Sequence, residues 1–219
     1  MPRRLNLPDS ASVASPGDDG RLFAPSAQRN APHIATLISR HAPPSGKLLE
    51  IASGTGEHAI HIAALVPHLT WQPTEIDPIR RASITAHTAL AQLANLRPAI
   101  ALDATAPGWG AEQAGQDMIL LVNLLHLIST PEAKTLITEA AQALAKDGVF
   151  ILYGPFLRDG EATSPGDASF DASLRQQDPE IGYKDDFDVI DWLHENWLEL
   201  VEVIEMPANN LAFVARRPA

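Results

Sequence analysis

The chain has no cysteine in 219 residues, so it offers no disulfide framework, no thiolate nucleophile and no zinc–thiolate site. That fits a reducing compartment, and the cytoplasm is the expected location. Basic residues are scarce: 16 Lys and Arg stand against 27 Asp and Glu, a formal charge of −11. With no Lys/Arg cluster, such a surface repels a phosphate backbone, and nucleic acid is not expected as a partner. No apolar run nears the roughly 20 residues that span a bilayer, so no membrane partner is expected either. The opening "MPRRLNLPDSASVASPGDDG" has basic residues but lacks the apolar core of a secretory signal. Residues 1–24 read as a disordered leader of Pro, Ser, Gly and Asp. The sequence contains no internal repeat.

Residues 25–219 suit a single α/β domain with a large core. Two hydrophobic periods alternate along them, as expected of parallel strands joined by helices in a doubly wound sheet. "SAQRNAPHIATLISRHAPP" reads as a helix with Ser26 as N-cap and Ile34, Leu37 and Ile38 on one face. "KLLEIAS" is the first strand and "GEHAIHIAALV" its helix; "LTWQPTEI", "RRASITAHTALAQLA" and a short "PAIALD" follow as strand, helix and strand. "DMILLVNLLHLI" is a fourth, buried strand, and "PEAKTLITEAAQALA" a helix with Pro131 in its first turn. After the turn "KDG" comes strand five, "VFILYGPF". A last helix around "FDVIDWLHENW" precedes "ELVEVIEMP" and "LAFVARR", which the short "ANN" can join only as an antiparallel hairpin. Residues 157–184, rich in Gly, Asp, Ser and Pro, are expected to form a long lid loop.

The junction "KLLEIASGTGEHA" carries the chemistry. Gly54 and Gly56 turn strand one into a helix and let a ligand approach backbone N–H groups. With Ala59 they also satisfy the dinucleotide pattern G-x-G-x-x-G/A, so a nicotinamide dehydrogenase has to be weighed. Glu50 argues against it, because a pyrophosphate gains nothing from a carboxylate there, whereas a ligand bearing ammonium and sulfonium charge does. The terminal hairpin argues against it too. Alternatively, Glu50 caps a nearby backbone group or pairs with Arg29. Glu75, about 20 residues beyond the glycines, is placed to accept both hydroxyls of a ribose, with Asp77 as fallback or as a helix N-cap. Asp103, at the end of strand three, is placed for an adenine amine, and Asn123 and His126 end strand four beside it. In open α/β sheets ligands bind at such strand ends.

Taken together, "LLEIASGTGEHA", "TEID" and "LVNLLHLI" resemble motif I and its successors in class I S-adenosylmethionine (SAM)-dependent methyltransferases. "QRNAPHI", "EIASGTGEHA", "WQPTEID", "LYGPF", "FDASLRQQDPEIGY" and "MPANNLAFVARR" resemble more closely the DUF938 family, in which methyltransferase-like protein 26 is placed; the likeness runs from about Ser26 to Arg217. It implies the class I methyltransferase (Rossmann-like) fold, an α/β doubly wound sheet, mostly parallel with a C-terminal antiparallel hairpin. It also implies SAM as cofactor. By position, Glu50, Ala52, Ser53, Gly54 and Gly56 become the loop around the methionine part, Glu75 the ribose ligand and Asp103 the adenine neighbour. Ala52 stands where the first glycine is usual, Ser53 where Cys is common, and His58 where related chains use Gln.

Arg29 and Asn30, ahead of the apolar face of the first helix, are further cofactor candidates. Arg29 either pairs with the cofactor carboxylate or is a surface or Glu50-paired guanidinium. Methyl transfer needs positioning more than covalent help. If it uses a base, His126 is the candidate; otherwise His126 is a packed residue. His58 and His61 share a helix face without a third ligand, and no metal is expected. Substrate contacts are expected from Tyr153 and Phe156, from Phe170, Asp171, Ser173, Arg175 and Tyr183, and from Asn209 and Asn210 unless these two simply form the hairpin turn. The expected partner is a small-molecule or protein substrate. The competing function is a non-catalytic protein that binds SAM or S-adenosylhomocysteine (SAH).

Overall fold

The computed structural model describes residues 13–219, and residues 1–12 of the expected leader lie outside them. The chain divides into two compact units. The first comprises the described residues up to Ala104 with Gln116–Leu120, and the second comprises Thr105–Gly115 with Leu121–Ala219.

The first unit opens with an antiparallel pair, β1 (Ser15–Pro16) and β2 (Leu22–Phe23), in register Ser15 to Phe23. This part of the leader is therefore ordered, held by residues far along the chain, as described below. Helix α1 (Pro25–His41) is capped by Ala24 rather than Ser26, because Pro25 is well suited to a first turn whose N–H has no partner. Strand β3 (Gly46–Ile51) runs into α2 (Glu57–Ala63), and β4 (Leu69–Pro73) pairs with β3 in parallel, Glu50 opposite Pro73. Helix α3 (Pro78–Ala91) starts on Asp77, whose carboxylate accepts from Ile79 N–H at 2.8 Å. The expected third strand does not form. Arg97 N–H donates to the Trp71 carbonyl, but the next donor is Ile100, to the Pro73 carbonyl, so the pairing slips out of the two-residue period and leaves the isolated bridges Trp71–Leu96 and Thr74–Ile100. Most of β5 (Gln116–Val122) belongs to this unit.

The fourth strand stops earlier than its apolar run suggests. Asn123 adopts a left-handed φ of 56° and turns the chain, so His126 lies on a 3-10 turn, Leu125–Leu127, instead of a strand end. In the second unit, α4 (Trp109–Glu112) packs on α5 (Thr130–Ala143), which begins with a capping box of Ser129 and Glu132. "KDG" is no separate turn: β6 (Leu144–Leu157) runs through it, with Asp147 at φ 61°. Inside the expected lid loop lies α6 (Pro165–Gln177). Its signature is Ser164 as N-cap accepting from Asp167 N–H and Pro165 in the first turn, but only Leu174 is buried, so the sequence shows no apolar stripe. Strand β7 (Lys184–Asp185), α7 (Asp186–Glu195), β8 (Glu199–Met206) and β9 (Asn210–Arg216) complete the unit.

The main sheet is seven-stranded and mostly parallel, in the order β4-β3-β5-β6-β9-β8, with β7 beside β6. The expected hairpin is present: β9 pairs antiparallel with both β8 and β6. No described helix is long and apolar enough to cross a membrane.

Candidate functional site

At the end of β3 the backbone enters the left-handed region three times within five residues: Ala52 at φ 52°, Gly54 at 58° and Gly56 at 95°. The two glycines do different work. A Cβ on Gly56 would press on Ile84 Cα and Cγ1 at 3.0 Å, so this glycine permits close packing of the bend on α3. A Cβ on Gly54 would meet only Arg80 Nη1, at 3.7 Å, which leaves the bend open to a ligand on that side. Ala52 takes a conformation costly for a residue with a side chain, where the usual glycine would be at ease.

Two carboxylates flank the bend. Glu50, 2% exposed, accepts from Trp71 Nε1 at 2.9 Å. Burial pushes its pKa up to about 7 against the opposing pull of the Trp71 and Ser53 hydrogen bonds, and the nearby Glu75 adds to the rise. Arg29 is exposed on α1; the indole, rather than a guanidinium or a backbone cap, holds the Glu50 carboxylate. Trp71 is a site residue that local sequence patterns do not mark, and its signal lies in the strand register. With Glu50 opposite Pro73, alternation puts Trp71 on the same sheet face.

Glu75, also buried, accepts Gly54 N–H at 2.9 Å on Oε2 and Asp77 N–H at 3.1 Å on Oε1. Burial raises its pKa above the ordinary value, and those backbone donors oppose the rise. The structure thus brings Glu50, Ser53, Gly54, Glu75 and Asp77 into one linked group. Ser53 N–H donates to the Thr74 carbonyl at 2.7 Å, tying the bend to the end of β4. Asp77 performs the capping role, and Asp77→Ala is expected to cost about 1 kcal/mol in thermal unfolding.

Asn30 and His58 find each other: the buried imidazole Nε2 lies 2.6 Å from Asn30 Oδ1. Burial, with His61 nearby, lowers the His58 pKa to about 4, so the ring is neutral and donates to the amide oxygen. Asp103 is half-buried just beyond the last bridge to β4.

The other candidates belong to the second unit. Asn123 donates its N–H to the Tyr153 carbonyl at 2.9 Å. His126 is buried, its Nδ1 is without a hydrogen-bond partner among the described residues, and burial with the nearby Lys184 charge lowers its pKa to about 3. Its ring packs near Phe170 and Tyr183, at centroid distances of 6.0 and 6.1 Å. Gly182 N–H donates to the His126 carbonyl at 3.0 Å, and Lys184 Nζ donates to the carbonyls of Ile128 and Gly182 at 2.7 and 2.8 Å.

Asp171 and Arg175 form an ion pair at 2.9 Å, and both bind the Tyr183 backbone: Asp171 Oδ1 accepts its N–H at 2.6 Å, and Arg175 Nη2 donates to its carbonyl at 3.1 Å. They fasten α6 to the chain that follows it. Ser173 Oγ donates to the Phe170 carbonyl within the helix at 2.7 Å. The Tyr183 hydroxyl donates to Asp167 Oδ1 at 3.3 Å, and burial, with Asp167 beside it, pushes that phenol well above its usual range.

Tyr153 and Phe156 are buried on β6, Phe156 edge-on against Phe213 at 5.0 Å, so both serve the core. Asn210 Nδ2 donates to the Pro207 carbonyl within the hairpin turn. Asn209, at φ 58°, shapes that turn and also donates to Asp167 Oδ2 at 2.9 Å. The turn role expected of the two asparagines is therefore present, and Asp167 emerges as a hub that sequence reading overlooked.

Comparison with solved structures bears out the methyltransferase fold. An O-methyltransferase family protein from Burkholderia thailandensis superposes with a TM-score of 0.76 at 14% identity, covering 89% of this chain and 57% of that one. Human N-acetylserotonin methyltransferase, solved in complex with SAM, gives a TM-score of 0.73 at 14% identity, covering 89% and 53%. The chain thus spans little more than half the length of these proteins, and at such identity the likeness is one of fold. The model of one family, described as "Protein of unknown function (DUF938)", matches residues 21–217, and the chain belongs to that family.

Proposed function

We propose that this chain is a SAM-dependent methyltransferase, binding the cofactor at the bend Ala52–Gly56 between Glu50 and Glu75 and acting on a small molecule or a protein. The observation that carries the reading is Glu75. A buried carboxylate with a raised pKa, held by two backbone N–H groups, keeps lone pairs on both oxygens for the two hydroxyls of a ribose. The open side of Gly54 leaves room for the ligand, and ionised Glu50 suits a cationic methionine portion. The residues present therefore fit the cofactor.

Bound SAM supplies an activated methyl group on a sulfonium. The chain's task is then to grip, orient and exclude water. Glu75 orients the sugar, the bend holds the backbone of the donor closely, and Glu50 balances its charge. On the second unit the buried His126, its pKa lowered to about 3, is too weak a base to draw a proton from an acceptor at physiological pH, so transfer by this chain would rest on positioning. The burial of His126, Tyr153 and Phe156 favours the competing reading, a non-catalytic SAM or SAH binder, over one in which these three side chains form an open acceptor site.

Calorimetric titration with SAM, SAH and NAD tests the cofactor. SAM and SAH should bind and NAD should not, and Glu75→Ala should weaken SAH binding about 100-fold or more, the scale of losing two charge-assisted hydrogen bonds. Equal affinity in wild type and variant would remove Glu75 from the site. Labelled methyl donor incubated with the chain and a cell extract then separates enzyme from binder: label entering a metabolite or protein fraction supports transfer, and none supports the binder.

A further inference from the structure

The first β-pair and the start of α1 are fastened to the glycine bend by contacts that cofactor binding does not require. Ser83, fully buried on α3, accepts from Leu22 N–H at 2.8 Å and donates to the Thr55 carbonyl at 2.8 Å. Thr55 is the residue between the two bend glycines. Glu57, which opens α2, accepts Ala24 N–H at 2.6 Å, Gln28 Nε2 at 3.1 Å and the Thr55 hydroxyl at 3.0 Å. One turn beyond Ser83, His87 Nε2 lies 3.0 Å from the Leu22 carbonyl, and its ring meets Phe23 edge-on at 5.3 Å. Leu22, Phe23 and Ala24 are thereby each engaged by α2 or α3.

We propose that residues 22–28 act as a clasp on the bend, with Ser83 and Glu57 as the positioning residues that transmit its hold. The proposal rests on the bend being the cofactor site. A bend with two glycines has many backbone states available, and binding has to select one of them. Ser83 fixes the Thr55 carbonyl and Glu57 fixes its hydroxyl, so this selection is made before the ligand arrives. By linkage, a bound ligand tightens the clasp as much as the clasp tightens the ligand.

Hydrogen exchange on the ligand-free protein, comparing wild type, Ser83→Ala and Glu57→Gln, reads the coupling directly. Amides of residues 52–57 should exchange about tenfold faster in each variant while Leu48–Glu50 of β3 is unchanged, and SAH affinity should fall about tenfold, the scale of one lost hydrogen bond. Unchanged exchange at 52–57 in both variants overturns the clasp, and so does faster exchange in β3 as well, which marks general loosening. If Ser83→Ala does not fold, the half-buried Glu57→Gln decides. Failure of the wild type to take up SAH would strike the cofactor reading instead, and the exchange comparison would still decide on the coupling.

Discussion

Glu50→Gln should make the ligand-free protein more stable at pH 8 and a poorer binder of SAM. In the unfolded chain Glu50 ionises near 4.5, and in the fold near 7. Between those values the folded protein holds a proton that the unfolded chain has released, so stability falls as pH rises through this window. The loss is on the order of 3 kcal/mol once the pH exceeds 7. Glu75 shifts in the same direction. Gln at position 50 still offers an oxygen to Trp71 Nε1 but cannot ionise. Thermal unfolding at pH 8 should therefore rise by about 5 °C or more, and the difference from wild type should shrink towards pH 5. A cationic ligand beside Glu50 favours the ionised form, so SAM should bind wild type more tightly at pH 8 than at pH 6, with proton release, and the variant should lose that dependence. A variant with unchanged pH-dependence of unfolding would show that Glu50 is ionised throughout.

Gly182→Ala should detach α6. Gly182 sits at φ 129°, and a methyl there would come within 2.6 Å of Asp171 Oδ1 and 2.8 Å of Arg175 Cζ. Those atoms cannot simply swing aside, because they hold the Tyr183 backbone. Backbone strain and displaced contacts together should cost about 3 kcal/mol. Limited proteolysis should cut between residues 157 and 184 in the variant and leave wild type intact. Gly160→Ala, at φ 79° with nothing within 4 Å of the added atom, bears only the backbone cost and should resist cleavage. Equal protease resistance in both variants would refute the clamp.

Local patterns in the sequence reached some of these features and missed others for physical reasons. The glycine bend and the Asp77 cap were legible because each is set by residues within a few positions of itself, and Glu75 as a neighbour of the bend because a strand–helix–strand unit fixes its spacing from the glycines. So was the hairpin, since three residues between two strands leave no other path. Trp71 as the partner of Glu50 needed a strand register, and Ser83 and Glu57 needed tertiary contacts spanning about 30 to 60 residues. Helix α6 escaped because its stability comes from an N-cap and polar clamps rather than an apolar stripe. The third strand differs for the opposite reason: "PAIALD" has strand composition, but composition does not fix a register, and the pairing slips between Arg97 and Ile100.

The placement of β9 between β6 and β8 has a consequence for biosynthesis. As the ribosome delivers the chain, β6 emerges with its inner edge unmated and waits while about sixty further residues are made. Until Asn210–Arg216 has left the exit tunnel, the nascent protein carries two open strand edges, the state in which chaperones and proteases find their clients.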